Sequence, residues 1–176
     1  MKIIVGITGA SGSVYAISLL RGLLQADVEI FGVCSQTGKA VMQTECGVGQ
    51  SDFPFVSWHE PDDMFASLAS GSNCADGMVI VPCSMNTLSC VAHGISNNLL
   101  QRAAAVMLKE SRKLILVPRE TPLSVIQLDS MLKLANAGAI ILPAAPGFYK
   151  QPQSIQDLVN FITERIITQL INPITK

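Results

Sequence analysis

The feature that most constrains this chain is an alternation, repeated five times, of a short apolar run and a longer stretch with helical spacing. "KIIVGI" precedes "VYAISLLRGLLQ", "VEIFGVC" precedes "TGKAVMQTE", and "GMVIVP" precedes a helical stretch from Asn86 to Lys109. "KLILV" is followed by "LSVIQLDSMLKLANA", and "AIILP" by "SIQDLVNFITERIITQLI". Strands linked through helices lie parallel, and a parallel sheet needs helices on both faces. The runs are apolar without alternation, as strands covered on both faces require. The expected fold is α/β: a doubly wound parallel sheet in a Rossmann- or flavodoxin-like three-layer sandwich. One stretch, Gly47 to Asn73, has no clear period and is long for a structureless connection, which marks it as a functional or interface loop.

At 176 residues the alternation fills one domain, residues 1–176. Apolar residues make up 49% of the chain and charged ones only 14%. The longest apolar runs fall well short of the roughly 18 residues that cross a bilayer, so no membrane span is expected. The apolar excess belongs to a large core and to contacts between copies, which predicts a homo-oligomer with the C-terminal arm and helix, 143–172, among its contacts. A net charge of -1 without Lys/Arg runs argues against a nucleic-acid partner. The chain opens on a strand pattern, so no signal peptide is expected. Its five cysteines form no C-x-x-C pair, which fits reduced thiols and a cytoplasmic location.

In doubly wound folds ligands sit beyond the carboxyl ends of the strands, so the loops there carry the chemistry. "TGASGS", Thr8 to Ser13, follows the first strand and opens the first helix. Glycine there lets backbone approach a ligand, and unpaired helix N–H groups attract phosphate. The alternative is a tight turn capped by Ser11 or Ser13. The dinucleotide pattern G-x-G-x-x-G is absent. The second strand ends "VCSQTGK", with Ser35 and Thr37 where a ribose-binding carboxylate would stand, which disfavours NAD. "VPCSMNT" after the third run again places small polar residues at a helix start, either as ligand contacts or as an N-cap at Asn86 or Thr87. Cys83 has no histidine at a partner spacing and reads as a packed thiol.

Arg102 and Lys109 stand seven apart on one helical face, as solvated cations or as phosphate contacts. "VPRETP" puts Arg119 and Glu120 at a strand end, where a carboxyl group beside cations serves as general acid or base, or as half of an Arg–Glu pair. "PAAPGFYKQPQS" reads as a rigid arm presenting Phe148 and Tyr149. Tyr149 and Arg165 are placed to meet a phosphate from the opposite side. His59 and His93 lack metal-ligand spacing, and no metal site is expected.

Taken in order, "GITGASGSVYA", "VPCSMNTLSCVAHGISNNLLQRAA", "LKESRKLILVPRETPLS" and "GAIILPAAPGFYKQPQSIQDLVNFITERI" resemble the flavin prenyltransferase family, the UbiX-like proteins once described as aromatic-acid decarboxylases. The resemblance runs from residue 5 to about residue 170. It implies a transferase that binds FMN and joins the dimethylallyl group of dimethylallyl monophosphate to N5 and C6 of reduced FMN. The product, prenylated FMN, would serve a partner decarboxylase acting in ubiquinone-type or aromatic-acid decarboxylation. Carried over by motif position, Gly9, Ala10, Ser11, Ser35, Ser84, Met85, Asn86, Thr87 and Arg102 would contact FMN. Ser11, Glu45, Lys109 and Glu120 would be catalytic, and Lys109, Arg119, Tyr149 and Arg165 would hold the donor phosphate. The resemblance also implies a dodecamer built from trimers, with sites at subunit contacts.

The family commonly continues past the last helix with a tail bearing an aromatic residue near the prenyl pocket, whereas this sequence stops at "INPITK". The expectation is a pocket that is more open, or closed by a neighbour, or a truncated sequence. Two other readings stand beside the main one. A flavin-dependent cysteine decarboxylase would share the fold and the "PCSMNT" stretch but would need a catalytic histidine on an early helix. A non-catalytic FMN-binding regulatory subunit would have no use for a second phosphate cradle.

Overall fold

A computed structural model describes residues 1–72 and 75–171. The end of the long loop at Asn73 and the closing residues after Ile171, including residue 172 of the expected arm and helix, lie outside the described residues. Six strands form one sheet: β1 (Lys2–Ile7), β2 (Glu29–Cys34), β3 (Val56–His59), β4 (Gly77–Cys83), β5 (Lys113–Pro118) and β6 (Ile140–Ile141). Six helices accompany them: α1 (Ser13–Gln25), α2 (Gln36–Cys46), α3 (Met85–Ala92), α4 (Leu99–Lys109), α5 (Val125–Asn136) and α6 (Ile155–Ile171). All pairings are parallel, in the order β3-β2-β1-β4-β5-β6. This is the Rossmann order, and its switch point falls between β1 and β4.

The sheet divides two cores. Ile3, Val5 and Ile7 of β1 point to one face, against Leu19, Leu20 and Leu23 of α1 and Ile162, Ile166 and Leu170 of α6. Ile4 points to the other, where Met78, Ile80, Leu88, Leu100, Ala103, Met107 and Leu134 gather. Every residue of β4 is buried, which is why its sequence reads as an unbroken apolar run. Gly6 brings α4 close: a Cβ there would stand 3.2 Å from Leu100. Among the described residues no helix is long and apolar enough to cross a membrane.

Three expectations need adjustment. The aperiodic loop contains β3, and only Val56 of it is buried. An edge strand pairs on one side and needs no continuous apolar run, so the pattern hid it. The expected single helix from Asn86 to Lys109 is two. α3 stops at His93, Gly94 takes a left-handed φ of 70°, and the Asn98 side chain caps α4 by accepting from Gln101 N–H at 2.9 Å. Only Ile140 and Ile141 of "AIILP" pair with β5, leaving β6 as a short far edge.

Candidate functional site at the carboxyl ends of the strands

Interlocked loops build the switch point. Thr8 leaves β1 with its hydroxyl donating to the Pro82 carbonyl at 2.7 Å and accepting from Ser84 N–H at 2.7 Å. That one buried side chain ties the end of β1 to the start of α3. Thr8 lies inside the glycine loop, and local spacing does not reveal its role, which depends on a partner 76 residues away. Gly9 admits the Thr37 side chain, which a Cβ would strike. Gly38 sits where a Cβ would meet the Ile7 carbonyl at 2.8 Å. Small residues here bring the first loop against the start of α2, answering why the sequence spends them after a strand.

Helix starts line this region. Ser35 caps α2, accepting from Gly38 N–H at 3.0 Å, and Ser84 caps α3, accepting from Thr87 N–H at 3.3 Å. Ser124 and Gln127 form a reciprocal capping box on α5. The start of α1 differs: Gly12 has φ 110° and supplies no side-chain cap. Its N–H and that of Ser13 donate to Oε2 of Glu45, in the last turn of α2, at 3.0 and 2.9 Å. Partial burial pushes the Glu45 carboxyl up. The Ser11 hydroxyl and the two N–H groups outweigh it and hold Glu45 below the usual carboxylate range. Ala10 is buried beneath this loop, Ser11 and Asn86 are exposed, and Met85 is half-buried.

Arg119 leaves β5 toward the same loop, its Nε donating to the Ser11 carbonyl at 3.0 Å. Arg119 and Glu120 line a cavity of about 220 Å³ with Pro118, Pro143 and Ala144. Glu120 is exposed, and its Oε1 accepts from Thr121 N–H at 3.0 Å. Pro143 and Ala145 are shared with a groove of about 290 Å³ that holds Arg165 and Phe161. The Tyr149 ring meets Phe161 edge-on at 5.8 Å, one helical turn from Arg165. The structure thus gathers Ser11, Glu45, Arg119 and Glu120 closely, and sets Tyr149 and Arg165 on the adjoining flank.

Two sequence-predicted residues stand apart from the glycine loop within one chain. Arg102, in the first turn of α4, donates from Nε to the Ala69 carbonyl at 3.0 Å. Lys109 stands at the far end of α4, about 15 Å along the helix from its start by the 1.5 Å rise. That end lies next to the entry of β5, at the opposite rim of the sheet, and Lys109 pairs there with Glu110 at 2.8 Å. Seven-residue spacing gave one face correctly but hid that α4 spans the whole height of the sheet. Within one chain Lys109 is not part of this mouth.

Burial pushes the Cys83 thiol far up, and that of Cys34 up to about 12, so neither is a thiolate nucleophile. His59 packs on Phe31, and His93 Nδ1 bonds the Ser89 carbonyl at 2.8 Å, away from the mouth. Among the described residues no cluster of three His, Cys, Asp or Glu is placed to hold a metal.

Small polar loops and helix starts around a Rossmann-type switch point define a protein that holds a phosphate-bearing cofactor, and residues 1–167 match the family model described as Flavoprotein. Flavin prenyltransferase LpdB of Lactiplantibacillus plantarum is 50% identical over 169 residues, covering 94% of this chain and 90% of that protein. The crystal structure of AnUbiX in complex with FMN and dimethylallyl pyrophosphate superposes with TM-score 0.94 at 41% identity, over 96% of this chain and 91% of that one. A dodecameric FMN-dependent UbiX-like decarboxylase from Escherichia coli gives TM-score 0.94 and 41% identity, over 96% and 94%. The chain belongs to the flavoprotein family and, within it, to the flavin prenyltransferases, which are transferases.

Proposed function

We propose that this protein transfers the dimethylallyl group of dimethylallyl monophosphate to N5 and C6 of reduced FMN, and releases the prenylated flavin to a partner decarboxylase. The observation that carries the reading is the 3.0 Å bond from Arg119 to the Ser11 carbonyl. It joins the glycine loop suited to a flavin to the cavity that holds Glu120, so cofactor seat and acid share one wall.

The residues present fit FMN. At Gly9 and Gly38 a Cβ would strike Thr37 and the Ile7 carbonyl, so glycine lets the first loop close against α2, and the helix starts at Ser35 and Ser84 offer hydroxyls and N–H groups to a phosphate ester. Gly9, Ala10, Ser11, Ser35 and the run Ser84, Met85, Asn86 and Thr87 would hold it. Reduced FMN supplies the electron-rich ring that accepts the prenyl carbon. Breaking the allylic carbon–oxygen bond leaves the electron pair on the phosphate, and that charge must be stabilised. Arg119 and Arg165 supply charge, Tyr149 supplies a hydrogen bond, and Glu120 delivers a proton to the leaving phosphate. Lys109 serves the same cradle only from another copy, as in an assembly like the dodecameric neighbour.

The reading includes a single flavin-binding domain, 1–176, whose arm and last helix contact other copies, and a cytoplasmic location. The test is anaerobic incubation with reduced FMN and either dimethylallyl monophosphate or its pyrophosphate, followed by mass spectrometry of the released flavin. A gain of one five-carbon unit with the monophosphate is expected. Unchanged FMN with both donors overturns the reading, and a gain only with the pyrophosphate overturns the choice of donor.

A further inference from the structure

Gly71 faces the end of α4 across a notch that only a glycine leaves. A Cβ there would strike Oε1 of Glu110 and stand 3.1 Å from both the Glu110 Cδ and the Lys109 Nζ. The Lys109–Glu110 ion pair, 2.8 Å long, therefore lies directly against the backbone of this turn. The turn is pinned from behind. Arg102 Nε donates to the Ala69 carbonyl at 3.0 Å, Arg112 donates to the Gly71 carbonyl at 3.1 Å, and the Ser70 and Ser72 hydroxyls meet at 2.8 Å.

Adjacent residues on a helix do not face each other, so this is not an ordinary helix-surface pair. It forms because α4 ends there. Glu110 is the C-cap, Ser111 takes a left-handed φ of 53°, and Arg112 N–H returns to the Met107 carbonyl at 2.8 Å. That reversal brings Lys109, Glu110 and Arg112 to one turn of chain. The hydrogen bond from Lys109 and its charge outweigh slight desolvation and, with a smaller contribution from Arg112, hold the Glu110 carboxyl below the usual carboxylate range. A lysine at a helix end loses rotamer entropy when a ligand fixes it, and here a carboxylate fixes it beforehand.

We propose that Glu110 is a positioning residue: seated in the notch that Gly71 leaves, it presets the Lys109 ammonium for the phosphate of the allylic donor. The proposal rests on the reading above, in which Lys109 serves the cradle of another copy. Glu110 acts only through Lys109. A preset ammonium spares the donor the cost of ordering a long flexible stem, and it meets the charge that gathers on the leaving phosphate.

Two substitutions loosen the hold in different ways. Glu110→Gln keeps the size and loses the charge, whereas Gly71→Ala keeps the carboxylate and pushes it out of the notch. The displaced atoms are the end of a flexible side chain, so the fold is expected to survive. Each variant is expected to lower kcat/KM for dimethylallyl monophosphate about fivefold, with FMN affinity unchanged. In a Lys109→Ala background neither is expected to cost anything more, whereas a merely structural role would persist there. A second readout needs no donor. The intact protein is acetylated sparingly with an N-hydroxysuccinimide ester, and peptide mass spectrometry compares Lys109 with Lys133, whose pair with Asp129 the substitutions do not touch. Lys109 is expected to react faster relative to Lys133 in both variants than in wild type. Unchanged kcat/KM in both variants, an equal loss in the Lys109→Ala background, or equal Lys109 labelling in all three proteins overturns the proposal. If wild type leaves FMN unprenylated, the proposed function falls, and the labelling alone decides whether Glu110 holds Lys109.

Discussion

Around the ends of β1, β2 and β4 the loops hold one another, whereas around the ends of β5 and β6 the side chains reach solvent. On the first side Thr8 bridges two strands, Ser35 and Ser84 close their helices, and Glu45 clamps the glycine loop. On the second, Glu120 bonds only its neighbouring N–H among the described residues, and Tyr149 is 79% exposed. The difference teaches how labour is divided. The closed side is organised before any ligand arrives, as suits a tightly held flavin. Under the proposed function, the open side suits a donor that enters and leaves.

The comparison can be broken at its open side first. Glu120→Gln removes the proposed acid without touching the interlock, so turnover is expected to fall by about a hundredfold or more while FMN affinity stays unchanged. Single-turnover rates beside a flavin titration check this, and equal turnover would remove Glu120 from the acid role.

A smaller effect comes from the closed side. Thr8→Val leaves Ser84 N–H and the Pro82 carbonyl without their shared hydroxyl, which is expected to cost about 1–3 kcal/mol in urea unfolding. Flavin affinity should drop as well, whereas the chemical step with saturating flavin should not. A variant that loses rate but not flavin affinity would show that the two sides are not separable.

Acid gives the smallest effect. The folded Glu45 carboxyl lies below its unfolded value, so its contribution is present above the ordinary carboxylate range and lost as pH falls through the lowered folded value. Because the side chain is exposed, the loss should be a shallow loss of melting temperature in wild type that Glu45→Gln lacks. Parallel acid limbs in the two proteins would mean that the clamp adds no stability.

Much of the closed side was legible because its residues are local. "PCSMNT" announces a helix start whose Ser84 hydroxyl caps three residues on, whereas the start announced by "TGASGS" is closed by the distant Glu45. The sheet was legible because a strand buried on both faces must be apolar throughout. Reading failed where partners are distant or faces are single. β3 shows one buried residue in four and pairs only with β2, so periodicity had nothing to register. Glu45 was reached through family likeness rather than pattern, since nothing in "QTEC" says its carboxylate will meet an N–H 32 residues upstream. Lys109 and Arg102 share a helical face, but spacing along a helix carries no information about which end of the sheet that helix reaches.

The strand that escaped the sequence also sets the molecule's optics. Trp58, the single tryptophan, lies over Gly32, where any Cβ would collide with its ring, and its indole N–H donates to the Phe53 carbonyl at 3.3 Å. Gly32 precedes Ser35, the α2 cap, by three residues on β2. The chain therefore carries one rigidly mounted emitter beside the place where a yellow chromophore would sit. Quenching of that emission gives every flavin titration described above an unlabelled readout from a fixed point in the fold.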